Sequence, residues 1–232
     1  MPSPNPYKGM IDACTDIGAV TARFSLPMDP ATINGTTVLF EACGTGASIG
    51  SACTSVAGAG TPRVINYDPD GRSQLVLPIG GLAPNTWYRL TIRDQARSLG
   101  TPERGAQVLD GNFDGRAGGA YVTSFKTGEG SCAISGVDVQ PSRSLISAAD
   151  ETREFQAFPL SSRCLVLSCA GRSVQWTTSD ASKATISSFG GDRRCEAVAT
   201  PVSETEPGPS VQIESSVDGF RDSGVLTIDY AN

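Results

Sequence analysis

The 232-residue chain contains no histidine. Histidine is the commonest general base and zinc ligand, so its absence removes Ser-His and Cys-His nucleophiles and weakens any case for zinc. Aromatic residues make up only 6%, and the formal charge of −6 comes without a basic stripe to neutralise phosphates. No apolar run reaches the ~20 residues of a transmembrane helix. We therefore predict no enzyme, no nucleic-acid partner and no membrane span in this chain.

Seven cysteines are present, and none forms a Cys-x-x-Cys pair. They favour an oxidising compartment, where disulfides persist, although reduced and buried thiols would remove this argument for export. Cys43 and Cys53 lie in one Gly/Ala/Ser-rich stretch and are predicted to pair. The four cysteines of the second half allow three connectivities, which the spacing leaves open. They are Cys132, Cys164, Cys169 and Cys195. Cys14 then pairs with Cys132 across the domain junction, links to another molecule, or stays free.

Apolar residues recur with a period of two along most of the chain. Tyr88, Leu90 and Ile92 alternate with polar residues, as on the buried face of a β-strand. Short runs of this kind are separated by turn residues, and the segment Asp68–Gly71 reads as a hairpin loop. Cys164–Cys169 is one of the predicted strands in the second half. Two sets of about seven strands predict an all-β fold of two tandem antiparallel β-sandwiches.

The first half resembles a known family of bacterial Ig-like domains. The phrase Phe24–Thr32, with Pro-Met-Asp after the first alternating strand, resembles the Ig-like domain of surface-layer proteins. Leu75–Pro78, Gly81–Tyr88 and the closing Tyr121–Thr127 follow the same pattern. The resemblance covers residues 12–128, after an N-terminal extension at 1–11. It implies an Ig-like β-sandwich over these residues.

The second half resembles the group 2 bacterial Ig-like domains of invasin- and intimin-type surface proteins. Val174–Asp180, followed by Ala184–Ile186, carries this resemblance together with Val137–Pro141 and Gly224–Ile228. It implies a second Ig-like sandwich at 135–232, joined to the first by a linker at 129–134.

The two resemblances together imply a non-catalytic segment of a bacterial cell-surface or secreted protein. Such a segment is a rigid spacer or an adhesive, protein–protein interaction module, in a fibre or alone. Its partners are other cell-surface proteins or copies of itself, and its location is extracellular or outer-membrane-associated. The alternative is an accessory carbohydrate-binding module of a secreted polysaccharide-active enzyme, with polysaccharide as the partner. An exposed row of aromatic residues would favour that alternative.

One segment has the composition of a calcium loop. Asp110, Asn112 and Asp114 place oxygen ligands at positions one, three and five, and Gly115 occupies position six. Tyr121 stands where a bidentate glutamate is expected at position twelve. The segment therefore predicts either a calcium site or an Asp/Asn/Gly turn before the last strand. No other cofactor is predicted.

Overall fold

The chain forms an all-β structure, as predicted. A computed structural model describes residues 4–67, 72–100, 105–205 and 208–230. Within these ranges the helical segments are two 3-10 turns, Pro30–Thr32 and Gly191–Arg193. The predicted hairpin loop at Asp68–Gly71 lies outside the described residues. The chain divides into two compact units. The first comprises Met1–Asn66, Gly71–Cys132 and Cys164–Ser168, and the second comprises Tyr67–Asp70, Ala133–Arg163 and Cys169–Asn232.

The first unit contains two four-stranded sheets. In chain order its strands are β1 (Pro4–Asn5), β2 (Ala19–Phe24), β3 (Val38–Ala42), β4 (Thr54–Ser55), β5 (Arg63–Tyr67), β6 (Arg72–Pro78), β7 (Trp87–Ile92) and β8 (Tyr121–Lys126). One sheet has the order β1-β2-β6-β5 and the other the order β4-β3-β7-β8. These orders correspond to the ABED and CFG sheets of an immunoglobulin sandwich, with β4 as an additional edge strand beside β3.

Alternate side chains of the first unit form its core. Tyr88, Leu90 and Ile92 on β7 are at most 3% exposed, as their period of two predicts. The rings of Phe40, Tyr88 and Phe125 stack across three neighbouring strands, with centroids 5.4–6.2 Å apart. Such aromatic pairs add to the free energy gained from burying their area.

Segments without regular strand structure complete the first unit. The Gly9 N–H donates to Ser124 O (2.8 Å), and the Lys126 N–H donates to Met10 O (2.6 Å), so residues 9–13 cover the outer edge of β8. Residues 164–168 lie against residues 16–18. Gly18 N donates to Val166 O, and Ser168 N donates to Asp16 O. A side chain on Gly18 would meet the Ser168 backbone at 2.5 Å, so this approach requires glycine.

The second unit also consists of two four-stranded sheets. Its strands are β9 (Ile134–Gln140), β10 (Arg143–Ile146), β11 (Arg153–Ser161), β12 (Val174–Thr178), β13 (Ala184–Ser188), β14 (Glu196–Pro201), β15 (Val211–Val217) and β16 (Phe220–Ile228). The sheet orders are β13-β14-β11-β9 and β10-β16-β15-β12. Strand β10 pairs with β16 in parallel, and the other strands of these two sheets pair antiparallel. The order again corresponds to an immunoglobulin sandwich.

One core joins the two sheets of the second unit. Phe155 from one sheet and Ile213 and Leu226 from the other belong to the same buried cluster, and each is at most 1% exposed. Trp176 on β12 packs against this cluster and is partly buried. Between β15 and β16, Asp218 and Gly219 have φ values of 50° and 89°, the two positive values of a type I′ hairpin turn.

The strand pattern departs from expectation at one predicted strand. Cys164–Cys169 forms no named strand, and Leu167 makes only an isolated antiparallel bridge to Ile17 within the first unit. Pro4–Asn5, within the predicted extension at 1–11, pairs with β2. The domain boundaries at 12–128, 129–134 and 135–232 stay predictions.

Candidate functional site

The predicted calcium loop is a compact turn before β8. Asp110 is half-buried, whereas Asn112 and Asp114 are exposed. The Gly115 N–H donates to Asp110 Oδ2 (3.1 Å), and the Arg116 N–H donates to Asp114 Oδ1 (2.8 Å). The second is an Asx-turn bond, in which a carboxylate accepts from the backbone N–H two residues further along the chain. The structure therefore uses both carboxylates to hold the turn itself.

Two of the three predicted calcium ligands, Asn112 and Asp114, lie within hydrogen-bond distance of each other. Asn112 Nδ2 donates to Asp114 Oδ2 at 3.0 Å, so the amide presents its nitrogen to that carboxylate. Asp110 Oδ1 is buried without a hydrogen-bond partner among the described residues. A cation on this loop would have to draw on Asp110 Oδ1 and on lone pairs that the turn leaves open. Calcium at Asp110, Asn112 and Asp114 stays a prediction.

An apolar groove of about 280 Å³ adjoins this loop. Phe24, Leu26, Met28, Leu109 and Phe113 supply most of its apolar lining, with Asp110 at its wall. Phe113 has a φ of 60°, is 47% exposed, and meets the Tyr121 ring edge-on at 6.0 Å. The groove has the chemistry to hold an apolar side chain. The walls of the groove come from separate segments of the chain, so no single motif predicts it. The one signal in the sequence is Phe113, a large apolar residue among the Asp and Gly residues of a turn.

Six of the seven cysteines form disulfides, which pair Cys14 with Cys132, Cys43 with Cys53 and Cys169 with Cys195. Cys164 is a free, exposed thiol. Cys14 was predicted to pair with Cys132, to link to another molecule or to stay free. In the structure it forms a disulfide with Cys132, and both residues belong to the first unit. Asp16 lies beside this bond, and its Oδ1 accepts the Cys132 N–H at 2.9 Å. Because both sulfurs are in a disulfide, this cluster offers no thiolate to a metal.

The indole N–H of each tryptophan donates a hydrogen bond to a backbone carbonyl of this chain. Trp87 is 8% exposed, and its Nε1–H donates to Gly46 O at 3.1 Å, beneath the loop that follows β3. Trp176 donates through Nε1–H to Arg194 O at 3.3 Å. A sugar-stacking platform needs an exposed ring face, and the buried Trp87 does not offer one.

Among the described residues, the pKa values that change are those of two tyrosines, which rise, and of three carboxyls, which fall. Both changes move the pKa further from neutral pH. Burial raises the pKa of the Tyr88 and Tyr121 hydroxyls above 10.0. Hydrogen bonds lower the pKa of three carboxyls, mainly from the Ser147 backbone to Glu151, from the Ser182 hydroxyl to Asp180 and from the Arg172 guanidinium to Asp218. A general acid or base is most effective when its pKa lies near the working pH, so these shifts do not create one.

The Asp218 carboxylate stabilises the hairpin turn between β15 and β16. Its Oδ2 accepts from Arg172 Nη1 at 2.9 Å, and its Oδ1 accepts from the Ser173 N–H at 2.9 Å. The folded-state pKa of this carboxyl is lowered from its ordinary 3.8. Its stabilising effect is therefore complete above that value and is lost as the pH falls through the lower folded-state pKa.

Asp218→Asn should destabilise the second unit by about 0.5–1 kcal/mol at pH 7, since asparagine keeps the turn geometry but loses the ion pair. The difference from the parent chain should shrink as the pH falls below 3.8. Urea unfolding at a series of pH values measures this. Asp150→Asn, at an exposed position, is the matched control. A difference that stays constant down to the lowest pH would contradict the role of the charge.

Comparisons with known proteins do not assign this chain to a family. No protein-family model and no curated protein sequence matches it. Among solved structures, domains 5–6 of the S-layer protein SbsC are 8% identical, with both chains covered completely and a TM-score of 0.46. The N-terminal part of bacterial SbsC is 11% identical, with a TM-score of 0.30; 92% of this chain is covered, and it spans 42% of that structure. Titin A168–A169 is 9% identical, with coverages of 97% and 95% and a TM-score of 0.28.

In the described ranges, no helical segment has the length and apolarity to cross a membrane.

Proposed function

We propose that this chain is a non-catalytic structural segment of a bacterial cell-surface or secreted protein. It acts as a rigid spacer or protein–protein interaction module, with other surface proteins or copies of itself as partners, and assembles into fibres where many copies meet. The observation that carries the proposal is the set of three disulfides, distributed over both compact units. Disulfides persist mainly in oxidising compartments, and they stabilise a domain where chaperones are absent.

The sheets support the same proposal. A sandwich satisfies most backbone hydrogen bonds internally and leaves its end loops free for contacts. The polysaccharide alternative has weaker support, because Trp87 is buried and Trp176 is partly buried against the core of the second unit. The proposed location of this segment is extracellular or associated with the outer membrane. The proposal also includes the resemblance of the two halves to surface-layer-type and group 2 bacterial Ig-like domains.

Labelling of intact host cells tests the proposed location. A membrane-impermeant amine reagent should modify this chain through the exposed Lys8, while a cytosolic protein of the same cells remains unlabelled. Labelling that occurs only after the cells are lysed would contradict the proposal.

Calcium at the loop before β8 is tested separately by thermal melting. If Asp110, Asn112 and Asp114 bind calcium with the millimolar affinity of extracellular modules, about 5 mM Ca²⁺ should raise the Tm by a few degrees. EGTA should reverse the rise, and Asp114→Asn should abolish it, whereas Asp150→Asn should retain it. An unchanged Tm would leave the segment as a turn without a metal.

A further inference from the structure

One short segment between β11 and β12 belongs to the first unit, although both of these strands belong to the second. The first unit includes Cys164–Ser168, whereas Ala133–Arg163 and Cys169–Asn232 make up most of the second. The chain therefore passes from one unit to the other three times between Cys132 and Cys169. Two domains that are joined by a single linker need only one such passage.

The segment contributes buried apolar side chains to the first unit. Leu165 and Leu167 are 1% exposed, and Val166 is 6% exposed. Its backbone is bonded as well, since Val166 O accepts from the Gly18 N–H at 3.1 Å. Burial of aliphatic side chains stabilises a fold in proportion to the area removed from water. The first unit therefore gains stability from residues that lie outside the predicted domain at 12–128.

Both ends of the segment are anchored in the second unit. On one side the chain arrives from β11, whose last residue is Ser161. On the other side Cys169 follows directly and forms a disulfide with Cys195, which also belongs to the second unit. When the second unit is folded, the segment between these anchors has few conformations to choose from. Little entropy is then lost when it packs into the first unit.

We infer that the segment Cys164–Ser168 couples the folding of the first unit to that of the second. If the second unit unfolds, the segment stays in place only by closing a flexible loop of about 30 residues, from Cys132 to Cys164. If the segment leaves instead, the first unit loses the burial of three apolar side chains. Either course destabilises the first unit.

This inference goes beyond the proposed function, because it concerns how the two units fold and not where the chain resides. Domains on a simple linker fold and unfold independently of each other. In this chain, damage to the core of the second unit should also weaken the first. The cell-labelling experiment gives the same result whether or not the units are coupled, so the two claims fail separately.

A matched pair of double variants tests the coupling in the full chain. Ile213→Asp with Leu226→Asp places two charges at positions that are 0% exposed, which should unfold the second unit. Leu145→Asp with Val202→Asp is the control, because it adds the same two charges to the second unit at positions that are 42% and 56% exposed. Neither variant changes a residue of the first unit.

Hydrogen exchange measured by mass spectrometry without denaturant reports each unit separately. Rapid exchange of β15 peptides in the core variant shows that its second unit is unfolded. We then expect β7 peptides, which belong to the first unit, to exchange about 100-fold faster or more than in the control, from the cost of the loop closure. Equal exchange of β7 in the two variants, with β15 unprotected in the core variant, would overturn the inference.

A double-mutant cycle shows whether the coupling passes through the segment. Leu165→Ser with Leu167→Ser should release the segment from the first unit and speed the exchange of β7 by itself. In that background the core variant and the control should differ little in the exchange of β7. The inference would also be overturned if the full difference between them remained after the segment had been released.

Discussion

Replacing Cys14 and Cys132 together by alanine should lower the free energy of unfolding of the first unit by about 5 kcal/mol. The reason is the length of chain that the disulfide closes, since the two cysteines are 118 residues apart in sequence. Closing a long loop removes more conformational entropy from the unfolded chain than closing a short one. A loss of this size equals the whole stability of a marginal domain.

The other two disulfides supply matched controls. Cys169 and Cys195 are 26 residues apart, and Cys43 and Cys53 are 10 residues apart. The same relation predicts losses of about 3.5 and about 2.7 kcal/mol for the corresponding double alanine variants. Guanidinium unfolding followed by tryptophan fluorescence separates the effects, because Trp87 belongs to the first unit and Trp176 to the second. An order of losses that does not follow loop length would contradict this prediction.

The second large effect is expected at Leu167. This side chain is 1% exposed and belongs to the segment Cys164–Ser168, which is part of the first unit although it follows β11 in the chain. Leu167→Ala should destabilise the first unit by about 2–5 kcal/mol, because it removes buried methyl groups and leaves a cavity.

Hydrogen exchange measured by mass spectrometry tests where this loss falls. Peptides covering β2 and β7 should exchange faster in the Leu167→Ala variant, while peptides covering β11 and β15 should remain unchanged. Val202→Ala is the control, since Val202 is 56% exposed and its truncation should cost less than about 0.5 kcal/mol. Faster exchange confined to the second unit would show that Leu167 does not stabilise the first.

Much of the fold could be predicted from local pattern. Strands with one buried face show a period of two, and β7 alternates in the structure as it does in the sequence. The segment Cys164–Cys169 was wrongly predicted to be a strand. Its apolar residues Leu165, Val166 and Leu167 are buried, but in the first unit rather than in a sheet of the second. The apolar composition of a segment indicates that it is buried, but it does not indicate which part of the protein it packs against.

The candidate sites were less predictable because they depend on contacts that are distant in sequence. Cys14 could have paired within the chain, linked to another molecule or stayed free, and only the three-dimensional arrangement places it beside Cys132.

The most direct test of a disulfide-stabilised structural segment is a count of free thiols. Protein isolated from its native host is denatured without reductant and titrated with a thiol reagent. We predict one reactive thiol per chain, from Cys164, and seven after reduction. Seven thiols before reduction would contradict the account, since the chain would then reside where its cysteines are kept reduced.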